Sequence, residues 1–285
     1  MLKEILAINN YSTTKVGPFN IKQPLPHGNI EYFDPFVLLH HGGPDAYGPG
    51  QASARLMPHP HRGFEPVTFL FDGEIYHKDS TGAEGFLKKG DVQWTTSGSG
   101  ILHSEGPTEN FSKNGGTMEI IQLWVNLPKK DKMTEPHYQQ VNKNDMPHFY
   151  SKNKYIEVQL VSGSYNGLQG VIKTFSPVIS MMGVFDGEDE ITFTFDEAYN
   201  SMLYLLNGNM VVNDTEVKGN QCVFFKHVGQ DIKINTVSKG KFLLLSGQRL
   251  NEPMLSYGPF VMNTEAELIQ AVKDYNAGKM GRLES

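Results

Sequence analysis

The sequence predicts an all-β protein made of two β-barrels followed by a short C-terminal helix, and three observations carry that expectation. Apolar residues recur with period two in many short segments, as they do in half-buried strands. Between those segments stand 29 glycines and 16 prolines, the residues that turn a chain or break it. A strand, glycine turn and strand near residue 70 return near residue 205, the mark of an internal duplication.

Taken in order, the opening MLKEILAINNYSTT reads as a first strand. Its apolar patch is too short, and too soon broken by Asn and Ser, to be the core of a secretory leader. The clearest strands after it are expected at 67–71, 75–78, 92–95, 118–125, 156–161, 191–195, 201–206, 221–225 and 241–246. Asp72-Gly73, Thr81-Gly82, Lys89-Gly90, Asn207-Gly208 and Lys218-Gly219 supply turns. Many short strands with close turns favour a closed sandwich or barrel, which leaves no exposed edge. Only the stretch from Asn263 is strongly helical, with Leu268, Ile269, Ala271, Val272 and Tyr275 at helical spacing. Thr264 and Glu267 make a capping box at its start, and Gly278 is expected to end it.

Aligning Gly73 with Gly208 matches 68–73 to 203–208, and the Lys89-Gly90-Asp91 turn to Lys218-Gly219-Asn220. Two copies of one barrel is the economical explanation, and 285 residues suffice for two ordinary domains. The boundary is expected in the charged, proline-containing connection 128–147, dividing the chain into domains 1–134 and 135–285. The run Lys129-Lys130-Asp131-Lys132 within it reads as solvated.

Composition narrows the function classes. Hydrophobic residues at 39% and charged residues at 20% give the balance of a folded domain. A formal charge of -6, with no stripe of Lys and Arg, argues against direct binding of nucleic acid. No run of about 18 apolar residues is present to cross a membrane as a helix. Cys222 is the single cysteine, so no internal disulfide can form and a cysteine-based zinc site lacks its ligands. A reducing, cytoplasmic setting fits best.

Two segments carry the candidate chemistry. His59-Pro60-His61 sets two imidazoles one residue apart, which in a strand puts both on one face. His103-Ser104-Glu105 repeats that spacing and adds a carboxylate. Two such arms on neighbouring strands can converge inside a barrel to offer three nitrogens and one oxygen, a set that suits Fe, Mn, Co, Ni or Cu. Four protein ligands on a six-coordinate ion leave two positions open for water, dioxygen or substrate. The plainer reading remains a polar loop at His61-Arg62-Gly63 and a surface carboxylate at Glu105.

The remaining histidines read as surface or satisfied core residues: His77 on the outward side of an alternating strand, His137 and His148 in the connection, His227 past a strand end. His40 and His41 follow an apolar run and precede glycines, so His40 and His41 are candidates to line the approach to the metal around its ligands, or else simply cap a strand end with two polar residues. Gln122, between Ile120 and Trp124, is a candidate for orienting Glu105 through a hydrogen bond, or else an ordinary inward-facing amide. In the second copy Thr194 and Asp196 stand where His59 and His61 do, and no histidine stands near the counterpart of His103. That barrel is expected to be metal-free and to restrict access to the first.

Pro58-His59-Pro60-His61-Arg62-Gly63-Phe64-Glu65, Gly90-Asp91-Val92-Gln93-Trp94, Gly98-Ser99-Gly100-Ile101-Leu102-His103-Ser104-Glu105 and Leu123-Trp124-Val125-Asn126-Leu127-Pro128 together resemble the pirin family. Asn251-Glu252-Pro253 and Gly258-Pro259-Phe260-Val261-Met262-Asn263-Thr264 extend the resemblance over nearly the whole chain. The resemblance implies a bicupin, two facing cupin barrels, with a non-haem iron in the N-terminal one held by His59, His61, His103 and Glu105. It implies either of two roles. Some members resemble flavonol dioxygenases and open quercetin with dioxygen, while eukaryotic members are nuclear co-regulators whose iron oxidation state tunes partner binding. Ser99 stands in place of a common Arg, and Leu39-His40-His41-Gly42-Gly43 in place of Leu-Asp-His-Phe-Gly, so the substrate can differ while the metal set stays intact.

The expectation is therefore a metal-dependent dioxygenase acting on a flavonol-like enol such as quercetin. Fe(II) is the leading ion, and Mn, Ni, Co, Cu and Zn are the alternatives. Glu105 is the candidate proton acceptor, because a carboxylate ligand can loosen and take a nearby hydroxyl proton. Arg62 is expected to point to the opposite face from His61 in a structural role. The alternatives are a redox-responsive protein that binds an enzyme or transcription factor without turnover, and a non-redox enzyme such as an isomerase using zinc or manganese.

Overall fold

The computed structural model of the chain describes residues 1–17 and 19–283. All nine expected strands are present, several running on to the next turn former. The segment at 67–71 lies within Phe64–Asp72, which ends at Gly73 with φ +99°, and its partner at 201–206 lies within Asn200–Asn207, which ends at Gly208 with φ +88°. Both glycines occupy the left-handed region, where a side chain is strained.

The duplication extends to the full topology. In the first copy a seven-stranded sheet runs His137–Val141, Val92–Thr96, Phe64–Asp72, Gly116–Asn126, Phe36–Tyr47, Phe19–Leu25, Ser12–Val16, beside a four-stranded sheet Leu56–His61, Ile101–Pro107, Glu74–Asp79, Glu84–Lys88. In the second copy the seven are Ile5–Asn9, Gln221–Phe225, Asn200–Asn207, Lys239–Gly247, Val178–Asp186, Ile156–Ser162, His148–Tyr150. The four beside them are Asp189–Thr194, Asp231–Thr236, Asn209–Val212, Thr215–Lys218. Apart from the outer strands the copies agree position by position, a cupin barrel twice over.

The compact units do not follow the chain linearly. One joins Met1–Ser12, Lys22–Pro35 and Asn144–Arg249; the other joins Thr13–Ile21, Phe36–Lys143 and the residues from Leu250. The change at residue 143 falls inside the connection expected to hold the boundary. The outermost strands are exchanged, however: Ile5–Asn9 pairs with Gln221–Phe225 of the second copy. The connection is also more structured than its charge suggests, since His137–Val141 pairs with Val92–Thr96 and Lys132 is only 1% exposed.

Besides a short helix α1, Glu109–Asn114, there is the C-terminal helix α2, Glu265–Asn276, which is capped as expected: the Thr264 hydroxyl accepts from the Glu267 amide, and the Glu267 carboxylate accepts from the Thr264 amide at 2.9 Å. It belongs to the unit of the first copy, where Leu268 and Ala271 pack with Phe260, Met262 and Met280. No helix among the described residues is long and apolar enough to cross a membrane.

The second copy's interior is filled by Tyr165, Phe185, Phe193, Phe195, Phe242 and their aliphatic neighbours. Thr194 and Asp196, the expected counterparts of the first copy's histidines, are exposed. The inward positions of that strand carry Ile191 and Phe193 instead, opposite Ile234 and Ile232.

Candidate metal centre

The first arm is the strand Leu56–His61 and the second is Ile101–Pro107, paired antiparallel so that His103 lies opposite His59 and Ile101 opposite His61. Period two turns both first-arm histidines inward. The ring centroids of His59, His61 and His103 lie 4.4, 4.8 and 4.9 Å apart, and one nitrogen from each falls within 4.8 Å of the other two. Between His103 and Glu105 the register slips against the first arm, an irregularity of the kind that re-aims a side chain.

The chemistry of this trio fits a metal ion. Both ring nitrogens of His61 and both of His103 are buried without a hydrogen-bond partner, although the Pro259 carbonyl faces His61 without meeting it in bonding geometry. Leaving a buried polar atom unpaired costs about 1–3 kcal/mol, so four together need an account. Burial, then the neighbouring histidines, push both rings well below the usual imidazole range. They are neutral, with the lone pairs that metal binding requires. The His59 Nδ1 lies 2.8 Å from the Met57 carbonyl, which leaves Nε2 as its ligand nitrogen. With nitrogen and carboxylate donors and no thiolate, the set suits a divalent transition ion.

Glu105 joins the group from one side. Its Oε1 lies 3.7 Å from His103 Nδ1 and 3.5 Å from His77 Nδ1, and accepts from the Gln93 amide. His77, His103 and Glu105 form a second cluster whose ligand atoms lie within 4.8 Å of one another, so His103 is shared between both clusters. His77 is the main correction to the sequence reading. It is fully buried and inward, with Nε2 at 3.1 Å from Asp79 Oδ2. Burial works against its charge, but Asp79 and Glu105 outweigh burial and push its pKa up to about 9.

Around Glu105 the polar contacts continue. Gln93 donates to the Thr68 hydroxyl at 3.2 Å and accepts from the Tyr138 hydroxyl at 3.1 Å. Tyr138 stacks on His77 with ring centroids 4.5 Å apart. Burial, then the charges of Glu105, Asp79 and Asp91, raise the Tyr138 phenol well above its usual range, so it stays a donor. On the opposite side, Trp124 and Phe64 pack edge-on against His61 at 5.5 and 5.1 Å.

A cavity of about 110 Å³ reaches Glu105, walled mainly by apolar residues such as Phe19, Ile75, Met118 and Ile120. His40 and Gln122, opposite one another across a strand pair, are polar groups of its wall, as are Asp45 and Tyr47. Burial lowers the His40 pKa to about 4, so this ring is neutral. His41, one residue along, points to the other face, where its Nε2 lies 3.3 Å from the fully buried Glu119. Gln122 accepts from the Trp124 indole at 3.4 Å, and the amide that reaches Glu105 is that of Gln93.

A barrel duplicated in one chain, with histidines and a carboxylate converging, among the described residues, inside one copy and not the other, defines a bicupin with a candidate site for a divalent metal. The chain belongs to the pirin family: the pirin model matches residues 18–125 and the pirin C-terminal cupin domain matches residues 184–281. A protein of Pseudomonas aeruginosa, provisionally named a quercetin 2,3-dioxygenase, is 36% identical over 284 residues and 99% of both chains. A pirin-like protein of Solanum lycopersicum is 34% identical over 92% of this chain and 87% of its own. The crystal structure of a quercetin 2,3-dioxygenase from Acinetobacter baumannii superposes with a TM-score of 0.92 at 36% identity, covering 100% of both chains. The fold is shared, at 17% identity and a TM-score of 0.65 over 85% of this chain and 99% of that one, by an Escherichia coli pirin solved with nickel(II).

Proposed function

We propose that the protein is a pirin-family dioxygenase that opens the ring of a flavonol-type enol at one divalent metal ion, with iron(II) the leading candidate, held by His59, His61, His103 and Glu105. What supports this reading is a trio of buried or half-buried imidazoles, four of whose nitrogens lack partners, which shares His103 with a neighbouring cluster whose carboxylate, Glu105, opens onto an apolar cavity. The names of the Pseudomonas aeruginosa and Acinetobacter baumannii relatives support the substrate class.

When bound, the ion would supply Lewis-acid and redox chemistry toward dioxygen and an enolate oxygen. The protein's own residues do the rest. Glu105 takes the proton of the substrate hydroxyl at Oε2, since Gln93 and His77 engage Oε1 and hold the carboxylate in place. The cavity's apolar walls exclude water and hold a planar ring, while neutral His40 and Gln122 offer polar contacts to ring hydroxyls. Proximity of the two reactants in a confined site then lowers the barrier.

The test is anaerobic purification with metal analysis, then dioxygen uptake with quercetin by wild type and by His61→Ala. The account predicts uptake matching flavonol loss in the wild type, and loss of both metal and turnover in the variant. Turnover that survives His61→Ala contradicts the mechanism. Stoichiometric metal without any flavonol consumption points instead to a redox-responsive binding protein.

A further inference from the structure

The two metal arms carry a tether that the proposed chemistry does not use. Arg62 follows His61 on the opposite face, and its side chain is 4% exposed. Its Nε donates to the Ser99 carbonyl at 2.6 Å and its Nη1 donates to Asp274 Oδ2 at 2.9 Å. Ser99 stands in the Gly98-Ser99-Gly100 turn that enters the second arm, while Arg62 leaves the first. One guanidinium therefore ties the ends of both arms together, and one carboxylate of α2 holds that guanidinium. Asp274 is itself oriented by Gln270 and Lys279, each donating to Oδ1 at 2.9 Å.

The surroundings leave this tether little slack. The Val261 amide donates to the Arg62 carbonyl at 3.0 Å. Lys132 donates to the Gly63 and Val261 carbonyls at 2.7 and 2.9 Å. A Cβ on Gly63 would stand 2.1 Å from the Val261 carbonyl oxygen, and one on Gly100 would stand 2.6 Å from the Met280 side chain. The segment that includes α2 thus presses on the turn of each arm at backbone distance.

We infer that Asp274 is a positioning residue of the metal centre, acting through Arg62 to set His61 and the entry to His103 at ligand spacing. This inference rests on the metal reading of His59, His61, His103 and Glu105. Charge-assisted hydrogen bonds are short and directional, and removing one partner of a buried pair leaves the other charge without its hold.

The experiment compares the full chain as wild type, Asp274→Asn, Arg62→Lys and Thr264→Ala. The readouts are cobalt(II) affinity by chelator competition, the cobalt(II) absorption bands, and the urea midpoint of the metal-free protein. Thr264→Ala weakens α2 through its cap without touching the tether. The expected result is cobalt(II) affinity lowered about tenfold or more, with altered bands, in Asp274→Asn and Arg62→Lys, while Thr264→Ala stays within about twofold of wild type. Two results overturn the inference: tether variants that bind cobalt(II) as wild type does with unaltered bands, or Thr264→Ala losing as much affinity as they do. Wild type that takes up no cobalt(II) overturns the metal reading itself.

Discussion

Glu65 lies on the face of its strand opposite to Phe64 and Thr68, which border the site, and is fully buried, its Oε1 accepting from the Thr96 hydroxyl at 2.8 Å. Burial pushes its carboxyl up to about 7, against the pull of the Thr96 bond and with some help from Asp131. Because the folded pKa lies above the unfolded one, the folded state holds the proton more tightly. Its contribution is complete below about pH 4.5 and is lost as pH rises to about 7. At about 1.4 kcal/mol per decade, the loss is on the order of 3 kcal/mol. Urea unfolding at pH 5 and pH 8 should therefore show a fall in wild-type stability that Glu65→Gln removes; equal falls in both proteins would contradict it. Other residues illustrate what was legible. His59, His61 and His103 are visible as candidates from spacing alone. His77 is misleading because polar side chains at inward positions imitate an outward face, yet the phase set by Ile75 carries it inward together with Asp79. Gln93 leaves no such signal, since every residue of Val92–Thr96 is buried and alternation vanishes.

At the scale of elements, strands bounded by glycine turns are readable because apolar periodicity and turn chemistry agree. Val178–Asp186 escapes because its Met181-Met182-Gly183-Val184 run gives no clean alternation. His137–Val141 escapes because a strand of His, Tyr and two Gln reads as a loop until its pairing with Val92–Thr96 is known. It is this strand that brings Tyr138 onto His77. Helix α2 is the opposite case, since Thr264 and Glu267 announce its start and the capping box is formed as expected. Thr264→Ala should lower stability by about 1 kcal/mol. A urea midpoint identical to wild type would mean that the cap carries no weight here.

For the whole molecule, the repeat is written in the sequence, and the exchange of outer elements is not. Local patterns report which face of a strand is apolar but not which sheet its edge joins, so Ile5–Asn9 pairing with Gln221–Phe225 becomes visible only in three dimensions. The two copies also divide the labour of their interiors. One is filled with Phe193, Phe195, Phe242 and aliphatic side chains, while the other gathers histidines and carboxylates. The most direct measurement of that difference is X-ray absorption at the edge of the bound metal in the loaded full-length chain, with His103→Ala alongside. The account predicts one ion per chain with three imidazoles and a carboxylate in its coordination shell, and an ion that is lost or reduced to two imidazoles in the variant. A shell of water and carboxylate oxygens alone, or one unchanged by His103→Ala, would contradict it.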